Sequence, residues 1–316
     1  MRNEAGAIAA CLDSILANEL PADIAVEVLV FDGESTDESP AIVARMAERD
    51  GRIRLLPNPE RLQAAAFNRG LAAAQGKYLL RMDAHSVYAR DYIAECLRLL
   101  ESTGAGNVGG AQRAEGTSWF TRAVAAAVSS RFAAGDARYR NATAPAFTDT
   151  VYLGAWRTAT LRELGGMRAD WAVNEDYEMN VRLRANGGTV YLSPTIRSTY
   201  RVRNSVAGLA RQYTRYGFWK VRTVMEHPAS LRGRQLVAPA FVVSVLLTPW
   251  LVGHFGPWGA GHLVLYAAAN ATASVIAARR SGMALLPVLP LVFLIIHCSW
   301  GSGFLAGLAW WPFHHE

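Results

Sequence analysis

The chain of 316 residues is long enough for one or two domains with a sizeable core. Its formal net charge of +6 is carried almost entirely by arginine, and no basic-aromatic motif of a nucleic-acid binder is present. Its three cysteines, Cys11, Cys96 and Cys298, form no C-x-x-C pair, which excludes a disulfide framework and a cysteine zinc site and fits a reducing compartment.

Apolar residues dominate the C-terminal quarter. Residues 235–278 contain no Lys, Arg, Asp or Glu, and a second charge-free run covers residues 281–315. As a helix the first run spans about 66 Å, enough to cross a hydrocarbon layer of about 30 Å twice. We therefore predict a soluble domain over residues 1–230 and a membrane domain over residues 235–316. The expected transmembrane segments cover residues 236–255, 260–278 and 284–308.

Arginines flank these segments in a pattern that predicts their orientation. Arg232 and Arg234 precede the first segment, and Arg279 and Arg280 follow the second. The positive-inside rule places both ends in the cytoplasm, together with the soluble domain. The third segment then leaves the C-terminus outside, unless that segment is re-entrant. Three spans without an acidic or basic residue offer no ion pathway, which argues against a transporter.

Strands alternate with helices in the soluble part, which predicts a mostly parallel, doubly wound α/β sheet. The expected strands cover residues 26–31, 53–56, 77–82, 107–113, 150–156 and 190–192. The expected helices cover residues 7–16, 39–48, 62–75, 89–101, 119–134 and 205–226. Helix 119–134 is favoured as a core helix over a membrane-surface helix, and residues 141–147 are expected to form a loop.

The first chemical motif is the segment KYLLRMDAH at residues 77–85, an apolar run that ends in Asp83 and His85. On an extended backbone these two side chains point to the same side. A carboxylate and an imidazole at the carboxyl end of a buried strand make a plausible divalent-metal pair. The alternative is a capping aspartate and a loop histidine without a ligand.

A second motif, NEDYEMN at residues 174–180, combines three acidic residues with the start of a predicted helix. Acids in a first turn favour the helix dipole, so capping is one interpretation. The continuation into a helix and a strand favours the other interpretation, in which an acid of this first turn is a general base facing a cleft.

The third motif lies on the helix expected over residues 205–226. Arg211, Arg215 and Lys220 offer donors to phosphate, while Tyr213, Tyr216 and Trp219 offer rings on which a sugar can stack. A membrane-interface helix with an aromatic belt has the same composition, and both interpretations can hold at once.

These stretches, in this order and spacing, resemble glycosyltransferase family 2, and in particular its succinoglycan-type exopolysaccharide branch. The resemblance covers residues 1–230 and extends more loosely into the apolar segments. It is carried by residues 2–4 (RNE), 32–37 (DGESTD), 68–70 (NRG), 81–85 (RMDAH), 174–180 (NEDYEMN) and 211–220 (RQYTRYGFWK).

The resemblance implies a GT-A (Rossmann-like) domain followed by transmembrane helices. It also implies an inverting, metal-dependent hexosyltransferase with a UDP-sugar donor, UDP-glucose being the first expectation. The acceptor is a lipid-linked saccharide in exopolysaccharide assembly at the bacterial inner membrane. Two alternatives stay open, namely a polyprenyl-phosphate or ceramide-type glycosyltransferase, and a non-catalytic membrane scaffold derived from such an enzyme.

The same resemblance assigns roles to the acidic motifs. Asp32 matches a contact to the uracil or ribose, and Asp83 matches a contact to the ribose and the metal. His85 takes the place of the second acid in the family's D-x-D motif, and Asp176 matches the base that activates the acceptor. The expected cofactor is Mn²⁺ or Mg²⁺, and His85 favours Mn²⁺ because Mg²⁺ prefers oxygen ligands.

On the third motif, Gln212, Arg215 and Tyr216 match the family's Q-x-x-R-W, with tyrosine in place of tryptophan. Arg215 is expected at the donor diphosphate, and Gln212, Tyr216 and Trp219 at the acceptor. One departure concerns the start of the chain, because the family has an apolar central strand just before the Arg2-Asn3-Glu4 stretch. We therefore expect a strand to be missing ahead of Met1, or the chain to be a damaged copy.

Overall fold

The computed structural model describes residues 1–135 and 137–314. Contacts within the chain divide it into two compact units, each built from two segments. The first unit comprises Met1–Arg113 and Arg138–Tyr200, and the second comprises Ala114–Ala137 and Arg201–Glu316. The domain boundary near residue 230 is not tested by this division and stays a prediction.

The first unit alternates helices and strands through its N-terminal half. Its helices are α1 (Ile8–Leu16), α2 (Ser39–Arg49), α3 (Gln63–Ala73), α4 (Tyr92–Thr103), α7 (Arg138–Asn141), α8 (Thr158–Glu163) and α9 (Glu175–Ala185). Its strands are β1 (Val28–Asp32), β2 (Ile53–Pro57), β3 (Tyr78–Arg81), β4 (Ser86–Tyr88), β5 (Asn107–Glu115), β6 (Ala146–Thr148), β7 (Tyr152–Arg157) and β8 (Val190–Arg201), of which β5 and β8 run one or two residues into the second unit.

The strands of the described chain form two sheets. Strands β1 and β2 pair in parallel, from Val28 opposite Ile53 to Asp32 opposite Pro57. The other six strands form a sheet in the order β3-β7-β5-β8-β4, with β6 also paired to β8. Within it β3 and β7 run antiparallel, with Arg81 opposite Gly154. The architecture is mixed α/β, and a turn follows the end of β3.

The start of the chain lies against the end of β1. The Met1 amino group donates to the Phe31 carbonyl oxygen at 2.6 Å, and the Gly33 N–H donates to the Met1 carbonyl oxygen at 2.9 Å. The expectation that a central strand is missing ahead of Met1 is not tested by these contacts and stays a prediction.

An apolar core joins α3 to the six-stranded sheet. Phe67 of α3 meets the fully buried Trp156 of β7 edge to face, with ring centroids 5.6 Å apart. Leu161 of α8 and Met179 of α9 belong to the same buried cluster. Because α9 is packed through Met179, the acidic residues at its start are held in a fixed position.

In the first unit, two local predictions are wrong and one strand was missed. Residues 141–147, expected as a loop, contain the end of α7 and the first two residues of β6. Strand β4 was not predicted at all, and β8 extends to Arg201 instead of ending at Leu192. In β8, the pairing with β6 lies before Pro194 and the pairing with β4 lies after it. These strands are set by partners distant in sequence, which local propensity does not register.

The second unit is helical. It contains α5 (Trp119–Val128), α6 (Arg131–Ala134), α10 (Val206–Glu226), α11 (Arg234–Phe255), α12 (Gly261–Ser281) and α13 (Leu289–Trp310). The single helix expected over residues 119–134 is in fact two helices. The break falls at Ser130, whose hydroxyl accepts the Phe132 N–H at 3.2 Å and begins α6 as its N-cap.

Glycines bring α10 and α13 into backbone contact. A Cβ placed at Gly217 of α10 would lie 2.1 Å from the Trp300 carbonyl oxygen of α13. A Cβ at Gly303 of α13 would lie 2.0 Å from the Thr214 carbonyl oxygen of α10. Gly303 and Gly307 form a G-x-x-x-G pair, the spacing that allows two helices to approach closely in an apolar environment.

Two stretches of the described chain are long and apolar enough to cross a membrane, residues Arg234–Ser281 and Leu289–Phe313. The first consists of α11 and α12 joined by a single 3-10 turn. Helices α11, α12 and α13 therefore fall where the sequence predicts three segments, and they suggest membrane association.

Candidate active site

The β3–β4 connection carries the Asp83 motif. Strand β3 ends at Arg81, and a turn follows in which the Ser86 N–H donates to the Asp83 carbonyl oxygen at 3.0 Å. Because a turn replaces the expected extended backbone, the two side chains have different partners. Asp83 Oδ1 accepts Gln63 Nε2 at 3.2 Å, whereas His85 Nδ1 lies 3.2 Å from Glu4 Oε1. The extended-strand argument for the pair is wrong, and their metal role stays a prediction.

The NEDYEMN motif begins α9, as the sequence predicts. Asn174, with a φ of 65°, is the residue before the helix, and Glu175 and Asp176 are its first two residues. Asp176 Oδ1 accepts the N–H of the next residue, Tyr177, at 2.7 Å. Its side chain is 33% exposed, so one carboxylate is both anchored and open to solvent.

Arg81 connects the two acidic motifs. Its Nε lies 3.4 Å from Asp83 Oδ1, and its Nη1 lies 3.4 Å from both Glu175 Oε1 and Asp176 Oδ2. Burial alone would lower the pKa of Arg81, but the carboxylates of Asp83, Asp176 and Glu175 raise it above its usual value. The guanidinium therefore stays charged and holds residues from two distant segments together.

Glu175 is a buried acid with a raised pKa. Burial, and next the neighbouring Asp176 carboxylate, raise its pKa to about 7, while Arg81 opposes the shift. Only 6% of its side chain is exposed. A buried acid with a raised pKa beside a partly exposed carboxylate is an arrangement found at acid–base sites.

The Asp32 loop is held by the N-terminal stretch. Asp32, the last residue of β1, accepts the N–H of Ser35 at 3.2 Å and its hydroxyl at 2.6 Å. Asn3 donates through its backbone N–H to Ser35 Oγ at 2.9 Å and accepts the Thr36 N–H through Oδ1 at 2.8 Å. The RNE and DGESTD stretches are thus one structural unit, and the proposed nucleoside contact of Asp32 stays a prediction.

The third motif lies on α10 of the second unit. Gln212 Nε2 donates to the Tyr216 hydroxyl at 2.9 Å, and Arg215 is exposed. The Trp219 ring packs against Trp311, with centroids 5.0 Å apart. Gln212 and Tyr216 are thus brought together one helical turn apart, while their expected ligands remain predictions.

Two residues of the candidate site were missed from the sequence. Arg81 and Glu175 lie inside the conspicuous motifs, yet neither was given a role. The available signal was the basic residue two positions before Asp83, because a buried arginine needs carboxylate partners. Which carboxylates it meets depends on packing and could not be read from spacing.

The donor set around Asp83 and His85 fits a divalent metal in its chemistry. A carboxylate oxygen and an imidazole nitrogen together suit Mn²⁺. Among the described residues no group of three or more His, Cys, Asp or Glu side chains is placed to hold a metal ion. A metal held by two protein ligands would keep coordination positions for substrate phosphate, and the assignment of Asp83 and His85 as those ligands stays a prediction.

Comparison with known proteins identifies the family. The sequence model described as Glycosyl transferase family 2 matches residues 1–154. The succinoglycan biosynthesis protein ExoA of Rhizobium meliloti is 30% identical over 313 residues, covering 96% of this chain and 91% of that protein. The fold and this similarity define a GT-A glycosyltransferase. The chain belongs to glycosyltransferase family 2, as the sequence motifs predict.

Two further relatives match nearly the whole chain. An enzyme of Methanococcus voltae, named dolichyl N-acetyl-alpha-D-glucosaminyl phosphate 3-beta-D-2,3-diacetamido-2,3-dideoxy-beta-D-glucuronosyltransferase, is 24% identical and covers 97% of this chain and 94% of its own length. The solved structure of the mannosyltransferase PcManGT from Pyrobaculum calidifontis, in complex with GDP-Man and Mn²⁺, superposes with a TM-score of 0.62. That chain is 23% identical, with 98% of this chain and 85% of its own covered, and it confirms the fold.

Proposed function

We propose that this protein is an inverting glycosyltransferase that moves a sugar from a UDP-sugar to a lipid-linked saccharide during exopolysaccharide assembly. Glucose is the sugar we expect first. The observation that carries the proposal is the half-exposed Asp176, joined through Arg81 to Asp83 at the end of β3. An acceptor base and a donor-side carboxylate in one connected group are what a transfer between two bound substrates requires.

The proposed reaction needs one base. Asp176 takes the proton of the acceptor hydroxyl as the oxygen attacks the anomeric carbon from the face opposite the diphosphate. The glycosidic bond forms while the bond from the anomeric carbon to the diphosphate oxygen breaks, so the configuration inverts. An ionised carboxylate has capacity for about four hydrogen bonds, so the contacts to Tyr177 and Arg81 leave room for the acceptor hydroxyl.

The leaving diphosphate needs positive charge. The exposed guanidinium of Arg215 is our proposed donor to it, since a guanidinium matches phosphate in two-pronged geometry. Asp83 and His85 are the residues we propose to hold Mn²⁺ or Mg²⁺, and the ion when bound would neutralise charge on the diphosphate. Asp32 is the proposed contact to the nucleoside, and Gln212, Tyr216 and Trp219 are the proposed acceptor contacts.

The proposed location is the bacterial inner membrane, with α11, α12 and α13 as spans and the catalytic domain in the cytoplasm. The apolar stretches and the arginines beside them support this. The relative from Methanococcus voltae is named for a dolichyl-linked sugar phosphate, which supports a lipid-linked acceptor. A polyprenyl-phosphate acceptor therefore remains the second candidate.

The test is nucleotide release by membranes that carry this chain. A panel of UDP- and GDP-sugars is supplied with Mn²⁺ and lipid extract, and Asp176→Asn is assayed in parallel. We expect release with one UDP-sugar and a loss of at least about 100-fold in the variant, because the base is removed while donor contacts remain. Asp13→Asn is the matched control, since Asp13 is an exposed aspartate on α1.

Either of two results would count against the proposal. Full release by Asp176→Asn would remove the assigned base and leave the transferase without its proposed mechanism. No release with any sugar, from membranes in which the protein is folded, would favour the non-catalytic scaffold. Replacing Mn²⁺ by Mg²⁺ in the same assay examines the role of His85, since equal activity over a titration would remove the reason to prefer Mn²⁺.

A further inference from the structure

We propose that Arg81 is a positioning residue, which holds the base Asp176 and the donor-side carboxylate Asp83 in one arrangement for transfer. The inference rests on the proposed function, because that function gives the two carboxylates their roles. Arg81 itself needs to touch neither substrate.

The geometry is that of one guanidinium shared by three carboxylates. Arg81 Nε faces Asp83 Oδ1, and Nη1 faces Glu175 Oε1 and Asp176 Oδ2, all at 3.4 Å. Asp83 follows β3, whereas Glu175 and Asp176 begin α9, more than 90 residues later in the chain. The planar fork of arginine can reach partners in several directions at once, which a lysine ammonium on a flexible stem does less well.

Burial fixes this arrangement. The side chains of Arg81 and Glu175 are 12% and 6% exposed, against 33% for Asp176. Glu175 therefore anchors the guanidinium from the protein side, and Asp176 meets it from the solvent side. The Arg81–Asp83 ion pair, with side chains 12% and 16% exposed, is screened less by salt than the exposed pairs elsewhere on this unit.

The two carboxylates depend on Arg81 to different degrees. Asp83 keeps the Gln63 amide as a second side-chain partner at 3.2 Å. Asp176 has the backbone N–H of Tyr177, which belongs to its own helix and does not tie it to β3. Loss of Arg81 should therefore displace the base more than the donor-side carboxylate, so turnover should suffer more than donor affinity.

The experiment compares Arg81→Gln and Arg81→Lys with the wild-type protein, with kcat and the donor KM measured separately. We expect Arg81→Gln to lower kcat about 100-fold, the loss typical of a reacting group misplaced by about 1 Å, with less than a threefold change in KM. The kcat of Arg81→Lys should be about tenfold higher than that of Arg81→Gln, because lysine keeps the positive charge but lacks the planar fork of arginine.

The control is Arg98→Gln, which removes a 60% exposed arginine from an ion pair with Glu95 on α4. It should leave both constants unchanged. Thermal unfolding is recorded for every variant. If Arg81→Gln does not fold, Arg81→Lys carries the test, and a kcat about tenfold below wild type at unchanged KM and Tm supports the proposal.

The proposal is overturned if the folded Arg81 variants keep kcat within about twofold of wild type, or if only the donor KM rises. Failure of the proposed function looks different. In that case the wild-type protein releases no nucleotide, or Asp176→Asn retains full activity. An inactive Asp176→Asn beside a fully active Arg81→Gln would refute the positioning role alone.

Discussion

The contact between α10 and α13 gives a sharp prediction, because it joins the motif helix to an apolar helix through backbone atoms. Gly217 lies directly after Tyr216 of the QYTRYGFWK stretch. Its missing Cβ would stand 2.1 Å from the Trp300 carbonyl oxygen and 2.8 Å from the Phe304 nitrogen. Both are backbone atoms of α13, so no side-chain rotation can relieve the clash. Gly217→Ala therefore forces the two helices apart.

The size of the effect follows from these distances. Ordinary Cβ contacts begin at 3.4 Å, well beyond the 2.1 Å that is available, so the helices must move apart at this point. Overpacking of this kind costs about 1–3 kcal/mol, whereas alanine in place of glycine gains up to about 1 kcal/mol of helix propensity. With the full propensity gain subtracted, the net loss is about 0–2 kcal/mol, and at roughly 2–4 °C per kcal/mol we expect Tm to fall by up to about 8 °C.

The assay is thermal unfolding of the detergent-solubilised protein at one fixed scan rate, because large proteins often unfold irreversibly. Gly253→Ala is the matched control, since Gly253 lies within α11 and a Cβ there meets nothing within 4 Å. That variant should match or exceed the wild-type Tm. Gly303→Ala, on the opposite side of the contact, should repeat the loss. A Gly217→Ala protein as stable as Gly253→Ala would refute the close approach of the helices.

Two further predictions concern α9. Glu175 has a folded-state pKa of about 7 against an ordinary value of 4.5, so between these pH values the folded protein retains a proton that the unfolded chain releases. The free energy of unfolding should therefore fall as pH rises from 4.5 to about 7, by on the order of 1 kcal/mol per pH unit. Glu175→Gln should remove this slope in denaturant midpoints measured from about pH 5 to about pH 7, and an unchanged slope would assign it to another group. Arg182 donates to both oxygens of the fully buried Glu178, at 2.7 and 2.9 Å, so Arg182→Met should cost about 3–5 kcal/mol in chemical denaturation, and a loss under 1 kcal/mol would contradict a structural ion pair.

The sequence by itself determined the class of protein. Short apolar runs and helical patterns, with acidic motifs after strands, predicted the α/β domain and most of its elements, because those signals are local and are read from neighbouring residues. The charge-free runs after residue 234 predicted α11, α12 and α13 for the same reason. The order and spacing of the motifs predicted glycosyltransferase family 2, which the similarity to known members confirms.

The tertiary structure decided which of those residues meet. Local spacing suggested that Asp83 and His85 point to the same side. In the structure a turn separates them, and Asp83 contacts Gln63 and Arg81, whereas His85 contacts Glu4. Strands β4 and β6 are too short to be recognised from a sequence pattern, and they form because β8 pairs with them.

Arg81 shows the physical reason most plainly. A guanidinium withdrawn from water needs carboxylate partners, but the sequence does not show which carboxylates these are. The partners lie two residues away at Asp83 and more than 90 residues away at Glu175 and Asp176. Their meeting depends on how α9 packs against the sheet through Met179, and long-range packing of this kind is settled only when the whole chain folds.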